Sequence, residues 1–140
     1  MILLDTNVVS EPLKLNADPT VIAWIDAQVI ETLYLSTVSV TEMRYGIAVL
    51  PDGKKKESLR TSLDERILPL FESRILPFDM EAAEICAELR ARARAAGQGI
   101  GTADSYTAGI AAAKGFNVAT RDTQPFEAMG LSVINPWKTA

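Results

Sequence analysis

The pattern of hydrophobic and polar residues divides the chain into alternating strands and helices. Short apolar runs are typical of strands buried on both faces of a sheet, and the longer segments between them carry apolar residues at helical spacing. The predicted strands are residues 2–4, 33–36, 74–78, 117–120 and 131–134. The predicted helices are about 19–29, 39–50, 57–71, 79–96, a helix that starts within 99–104 and ends at 115, and a short one after 121. This alternation predicts an α/β fold: one domain over residues 1–140, with a mainly parallel central sheet of about five strands flanked by helices.

The first predicted strand is followed at once by polar residues. Ile2-Leu3-Leu4 runs into Asp5-Thr6-Asn7. A strand buried on both faces has no solvent side for a carboxylate, so we expect Asp5 at the carboxyl end of the sheet, where α/β proteins bind their ligands. A simpler explanation is that Asp5 or Thr6 only caps or turns the chain.

Three other acids have the same expected placement. Asp122 follows the strand 117–120, while Glu42 and Asp104 lie in the first turns of helices that open toward the same edge. Each also has a structural explanation, since Ser39 and Glu42 fit a capping box and the helix dipole favours Asp104. Because parallel strands end at one edge, the four carboxylates can converge on a single crevice.

The absence of histidine narrows the chemistry. It excludes Ser-His-Asp and Cys-His catalysis and His-ligated zinc. The single cysteine, Cys86, lies in a helical pattern and is expected in the core. Clustered carboxylates repel one another unless a cation neutralises them, and the cations that prefer oxygen ligands are hard ones. The sequence therefore predicts a site for Mg²⁺ or Mn²⁺.

The charge balance does not decide whether nucleic acid is a partner. The net charge of −4 argues against it, but four acids committed to a metal would leave 14 basic and 14 acidic residues. The Lys54–Lys56 run is interpreted as a solvated loop. Arg90, Arg92 and Arg94 suit a helix C-terminus, with contact to a partner or RNA left open. No membrane-spanning run or signal segment is present, so we expect a cytoplasmic protein.

Several fragments together resemble the PIN-domain toxins of the VapC type over essentially the full length. They are residues 1–12 (MILLDTNVVSEP), 39–42 (SVTE), 53–56 (GKKK), 74–79 (RILPFD), 102–104 (TAD), 118–123 (VATRDT) and 135–137 (NPW). The resemblance implies a PIN-like fold and a metal-dependent endoribonuclease. Carried over by position, the catalytic and metal-binding acids would be Asp5, Glu42, Asp104 and Asp122. Before Asp104, the run Gly101-Thr102-Ala103 departs from the more aliphatic family pattern.

Two polar positions and several partners are also implied by the resemblance. Asn7 and Thr120 would orient waters or a ligand carboxylate. The substrate would be RNA, and the partner a small VapB- or FitA-like antitoxin whose C-terminal segment wraps the toxin and can place an arginine among the acids. That antitoxin carries the DNA-binding domain, so DNA contact by this chain would be indirect. A homodimer is expected, with apolar surface near Trp24 and Tyr45 as the hint.

Two other functions are compatible with the pattern. One is a catalytically idle PIN-like subunit that only binds an antitoxin and DNA complex. The other is a receiver-like phosphoacceptor module with Asp79 as the acceptor. The second fits less well, because the first strand ends in a single acid and Lys138 lies beyond the last strand rather than at its end.

Overall fold

The central element is a five-stranded parallel sheet. A computed structural model describes residues 1–138, so the last two residues of the expected 1–140 domain lie outside it. The strands are β1 Ile2–Leu4, β2 Leu33–Ser36, β3 Ile75–Leu76, β4 Asn117–Ala119 and β5 Val133–Ile134, in the spatial order β3-β2-β1-β4-β5. All four pairings are parallel. The predicted α/β fold is therefore confirmed.

The strand order gives the sheet a topological switch point between β1 and β4. The chain proceeds from β1 to β2 and β3 on one side, then crosses back and adds β4 and β5 on the other. Leu4 lies opposite Ala119 in the register of β1 and β4. In sheets of this kind the crevice for ligands opens beyond the carboxyl ends of the two strands that flank the switch point. Here those ends are Asp5 and Thr120.

Within residues 1–138, seven α-helices cover the two faces of the sheet. They are α1 Thr6–Val9, α2 Pro19–Ala27, α3 Thr37–Ala48, α4 Lys54–Ser62, α5 Met80–Ala95, α6 Thr102–Lys114 and α7 Gln124–Ala128. Leu3 and Val118 pack on the face that α5, α6 and α7 cover, whereas Leu4 and Ala119 pack on the opposite face with residues from α1 and α3. Both faces are buried, which explains why β1 is apolar throughout.

Helices α5 and α6 pack unusually close to each other at Gly109. A Cβ placed on Gly109 would lie 2.6 Å from the carbonyl oxygen of Ala82 and 2.7 Å from Cβ of Cys86. Only a residue without a side chain fits at that separation. Cys86 is buried in this contact, as expected for a core position.

The predicted element boundaries differ from the structure in several places. The helix predicted over 57–71 consists instead of α4, a π-helical segment Leu63–Ile67 and a 3-10 turn Leu68–Phe71, because Pro69 lacks the N–H that would continue the helix. Lys54–Lys56 form the first turn of α4 rather than a loop. Helix α2 ends at Ala27, which leaves Val29 exposed. Within residues 1–138, no helix is long and apolar enough to cross a membrane.

Candidate functional site

Asp5 lies at the end of β1 and is held by hydrogen bonds from two directions. Its Oδ1 accepts the backbone N–H of Thr6 at 2.9 Å and thereby caps α1. Its Oδ2 accepts the hydroxyl proton of Thr120 at 2.9 Å. The side chain is only 6% exposed. The capping explanation for Asp5 is thus correct for one oxygen, while the other is oriented across the switch point by β4.

Thr120 and Asn7 connect the ends of β1 and β4. The fully buried hydroxyl of Thr120 donates to Asp5 and accepts the backbone N–H of Asp122 at 3.1 Å. Oδ1 of Asn7 accepts the backbone N–H of Arg121 at 3.2 Å, and its Nδ2 lies 3.5 Å from the Thr120 hydroxyl. These bonds fix the segment that follows β4 against the segment that follows β1.

Glu42 is an exposed residue of α3 that reaches toward α1. Its Oε1 accepts the hydroxyl proton of Thr6 at 2.6 Å, and the same hydroxyl lies 3.0 Å from Oγ of buried Ser39. The predicted capping box of Ser39 and Glu42 is wrong: the N-cap of α3 is Ser36, whose hydroxyl accepts the N–H of Ser39 at 3.1 Å. Glu42 therefore has no capping role at this helix.

The other two acids approach from α6 and from the turn after β4. Asp104 lies in the first turn of α6, as predicted, and its Oδ2 is close to Gly101, where a Cβ would be 3.7 Å away. Asp122 is exposed between β4 and α7. All four predicted acids are thus at the carboxyl edge of the sheet, on four different segments of the chain.

Burial raises the pKa of Asp5 above its ordinary value. The hydrogen bonds from Thr120 and Thr6 lower this pKa, and the charges of Glu42 and Asp122 raise it further. Burial is the largest cause because it removes the water that would stabilise the charged form of the carboxylate.

The pKa of Asp104 is raised to about 6, first by burial and then by the negative charges of Asp5, Asp122 and Glu42. The negative charges of the neighbouring acids therefore act on both Asp5 and Asp104. Within residues 1–138, none of the ion pairs between basic and acidic side chains includes any of the four. A cluster of this kind creates a strong local demand for positive charge.

The donor set matches the chemistry of a hard divalent cation. Every available ligand is a carboxylate or hydroxyl oxygen, which Mg²⁺ and Mn²⁺ prefer. Across the described part of the chain, however, no three Asp, Glu or Cys side chains are already arranged as ligands of one ion. The residue types fit a metal, and side-chain rotation of the exposed Glu42 and Asp122 would have to complete the ligand set.

Two features of the site were not found from the sequence. The sequence indicates only a cap or a turn at Thr6, whereas its hydroxyl donates to Glu42, and buried Ser39 contacts that hydroxyl from α3. Thr6 and Ser39 both lie in fragments that resemble the family, and this was the signal that could have identified them. Asp79, the alternative phosphoacceptor, caps α5 by accepting the N–H of Ala82 at 2.9 Å.

An apolar groove of about 800 Å³ begins at Thr6 and Glu42 and extends away from the acids. It runs between α3, α4 and residues 10–15, and its floor includes Met43, Ile47 and Leu59. Glu42 is thus the one member of the acid cluster that lines this groove.

The PIN domain family model matches residues 2–130 of this chain. Three full-length relatives are similar to it. Plasmid stability protein StbB of Pseudomonas syringae pv. tomato is 57% identical over 99% of each chain. VapC ribonuclease Y4jK of Sinorhizobium fredii is 53% identical over 100% of each chain, and toxin FitB of Neisseria gonorrhoeae is 49% identical over 98% of this chain and 99% of its own.

Solved structures show the same fold. A structure of FitAB bound to an IR36 DNA fragment contains a chain that is 48% identical to this one, with a TM-score of 0.96 and coverage of 100% of this chain and 98% of that chain. VapBC2 of Rickettsia felis, bound to a promoter DNA fragment, matches with a TM-score of 0.81 at 24% identity over 96% of this chain and 98% of that one. The second comparison supports the fold alone.

Proposed function

Because this chain belongs to the PIN-domain family, we propose that it is the ribonuclease toxin of a toxin–antitoxin pair and hydrolyses RNA phosphodiester bonds with Mg²⁺ or Mn²⁺. The observation that carries the proposal is the group of four carboxylates from four chain segments at the switch point of the sheet, none of which forms an ion pair with a basic side chain of residues 1–138. The ribonuclease named among its relatives supports the same reaction class.

The proposed metal ligands are Asp5, Glu42, Asp104 and Asp122. A bound ion would lower the pKa of a water molecule and offset negative charge on the phosphate. The work of this chain's own residues is positioning: Thr120 and the N–H of Thr6 hold the carboxylate of Asp5, and the hydroxyl of Thr6 holds Glu42. Such outer contacts are commonly worth a factor of about 10 to 100 in metal affinity or activity.

The proposed protein partner is a small antitoxin of the VapB or FitA type. FitAB bound to DNA is the model for this assembly. The apolar groove that ends at Thr6 and Glu42 suits a segment of the antitoxin, because a chain laid in it would cover the route to the acids. DNA would be contacted through the antitoxin. A homodimer is proposed, with exposed Tyr45 of α3 and Val49, the residue after this helix, as candidate contacts. The cytoplasm is the proposed place of action.

The function is tested by incubating the purified chain, free of antitoxin, with a mixed RNA pool. Cleavage is expected with Mg²⁺ or Mn²⁺ and not with EDTA. Asp5→Asn is expected to lower the cleavage rate by at least about 1,000-fold, because it removes a charge from the ligand set while keeping the shape of the side chain. Asp26→Asn, the same change on the exposed side of α2, is the matched control and should cleave normally.

The result also separates the alternatives. Cleavage by Asp5→Asn at the wild-type rate would overturn the assignment of the site. The wild-type chain is tested for binding instead when it cleaves no RNA with either metal. If it then binds its antitoxin, and the complex of the two binds DNA, the function is that of a catalytically idle binding subunit and not of a nuclease.

A further inference from the structure

A second cleft, of about 640 Å³, lies where α5 ends and the loop 97–101 begins. One wall is a stripe along α5, made of Ala87, Arg90, Ala91 and Arg94. These residues are three or four positions apart and therefore share one face of the helix. The opposite wall is the loop 97–100. The alanine side chains of this wall are short and apolar, so Arg90 and Arg94 supply its charge.

The charge of this cleft is entirely positive. No Asp or Glu lines it, and the acids of α5 lie earlier in the helix, at positions 81, 84 and 88. Arg90 and Arg94 are exposed, and neither guanidinium forms a hydrogen bond or ion pair with residues 1–138. The chain as a whole has a net charge of −4, whereas these two guanidinium groups make the surface of the cleft positive.

The loop is fixed to the arginine-bearing end of α5. Gly97 has a φ of 77°, its N–H donates to the carbonyl of Arg94 at 3.0 Å, and the N–H of Gln98 donates to the carbonyl of Ala93 at 2.8 Å. This pair of bonds is the Schellman motif, which ends a helix in a defined geometry. A Cβ on Gly99 would meet no atom within 4 Å, so the backbone there is open to a ligand. The cleft is preformed on both walls.

The loop leads directly to the acid site. Gly101, immediately after the cleft, is the residue beside Oδ2 of Asp104. A polymer that follows this loop out of the cleft would therefore reach Asp104. Arginine binds phosphate with two parallel hydrogen bonds, and contacts to the backbone of a nucleic acid position the strand without reading its sequence.

We propose that Arg90, Arg94 and the loop 97–100 form a binding subsite for backbone phosphates of the RNA strand on one side of the bond that is cut. The inference rests on the proposed ribonuclease function and adds the path of the substrate to it. The subsite contributes affinity and register, while the carboxylates perform the chemistry.

Binding is measured first, in EDTA, so that no RNA is cut. A fluorescent single-stranded RNA is titrated with wild type and with Arg90→Ala/Arg94→Ala across a salt series. The double variant should bind at least about 10-fold more weakly at low salt. Affinity falls as salt rises, and the plot of log affinity against log salt should become less steep by about 1.4 in the double variant. Each phosphate contact on a single strand contributes about 0.7 to this slope, and two contacts are lost.

The matched control is Arg92→Ala/Lys114→Ala. It also removes two positive charges from exposed positions. One position is on another face of α5, and the other is at the far end of α6. We expect its affinity to stay within about twofold of wild type and its slope to stay close to the wild-type value, because neither residue lines the cleft. Thermal unfolding of both variants should match wild type, since all four side chains are exposed. An equal loss of affinity in the two variants would show an effect of net charge alone and would overturn the subsite.

Two further outcomes separate this inference from its premise. In cleavage assays, Arg90→Ala/Arg94→Ala should raise KM while kcat is kept. Wild type that binds RNA through these arginines without cutting it contradicts the ribonuclease function and leaves the subsite standing. Unchanged RNA affinity, together with loss of binding to a poly-glutamate peptide, would overturn the subsite in favour of an acidic protein segment.

Discussion

The acid site and the arginine cleft are neighbouring surfaces that handle charge in opposite ways. At the acid site, Asp5 and Glu42 are held by hydroxyl and amide donors, and their charges have no cationic partner within residues 1–138. In the cleft, Arg90 and Arg94 are exposed to solvent, and neither guanidinium is paired with a side chain of residues 1–138. Chemistry at one phosphorus atom requires carboxylates in fixed positions, whereas attraction of a flexible strand requires only charge of the right sign. In the proposed nuclease, this difference would separate catalysis from substrate binding.

The largest expected effect comes from removing a carboxylate charge at the junction of the two surfaces. Asp104→Asn should lower kcat by at least about 1,000-fold, because one proposed ligand is lost. RNA affinity in EDTA should be kept or increased, since a negative charge beside the strand is removed. Cleavage and fluorescence binding assays measure the two quantities, with Asp26→Asn as control. A parallel loss of affinity and cleavage would contradict the separation.

A smaller effect is expected from loosening the carboxylate without removing it. Thr120→Val deletes the hydroxyl that donates to Asp5 and accepts the N–H of Asp122, while it keeps the buried shape. We expect kcat to fall by about 10- to 100-fold and RNA affinity to be unchanged. Thr120→Ser keeps the hydroxyl and should recover most of the activity. If Thr120→Ser is as slow as Thr120→Val, packing of the methyl group is the important property and not the hydrogen bond.

The smallest effect concerns stability of the metal-free protein. The pKa of Asp104 is raised to about 6 in the folded state, so the folded chain retains a proton that the unfolded chain releases between about pH 4 and pH 6. The free energy of unfolding should therefore decrease as pH rises through this window. At pH 7, Asp104→Asn should stabilise the metal-free protein by about 1 kcal/mol, a value reduced to allow for partial exposure of the side chain.

This stability difference bears on the comparison between the acid site and the arginine cleft. The substitution Asp104→Asn, which is expected to slow cleavage, is also expected to increase the free energy of unfolding. Denaturant unfolding at pH 4.5 and pH 7 in EDTA measures it, and saturating Mn²⁺ should narrow the difference between the two proteins. A gain that is equal at both pH values would mean that the carboxylate charge is not its cause. Asp26→Asn should show no change at either pH.

Sequence patterns were sufficient for the strands and for the edge at which the acids meet. The apolar run before Asp5 and the predicted strand before Asp122 define the ends of β1 and β4, because a buried strand cannot accept a carboxylate within it. Helix termini marked by Gly97 and Gly115 were also predicted correctly, since both adopt the left-handed conformation that glycine favours.

Contacts between segments that are distant in the sequence could not be predicted from these local patterns. Ser36 and Ser39 are both plausible caps, and only the structure shows that Ser36 caps α3 and that Ser39 contacts Thr6. The bond from Thr6 to Glu42 joins residues 36 positions apart, so no local signal records it. The break in the helix after Ser62 is not evident from the hydrophobic spacing, which continues to Phe71, and Pro69 is the local signal that opposes it.

The bond between Asp5 and Thr120 also determines when a new chain can acquire its site. The two residues are 115 positions apart, and the strand that carries Asp5 lies in the middle of the sheet, paired with β4. During synthesis, the residues of β1 leave the ribosome long before those of β4, and pairing over such a separation is slow to form. A nascent chain therefore carries the first acids without the partner that orients them, and the arrangement of the site waits for one of the last strands to be translated.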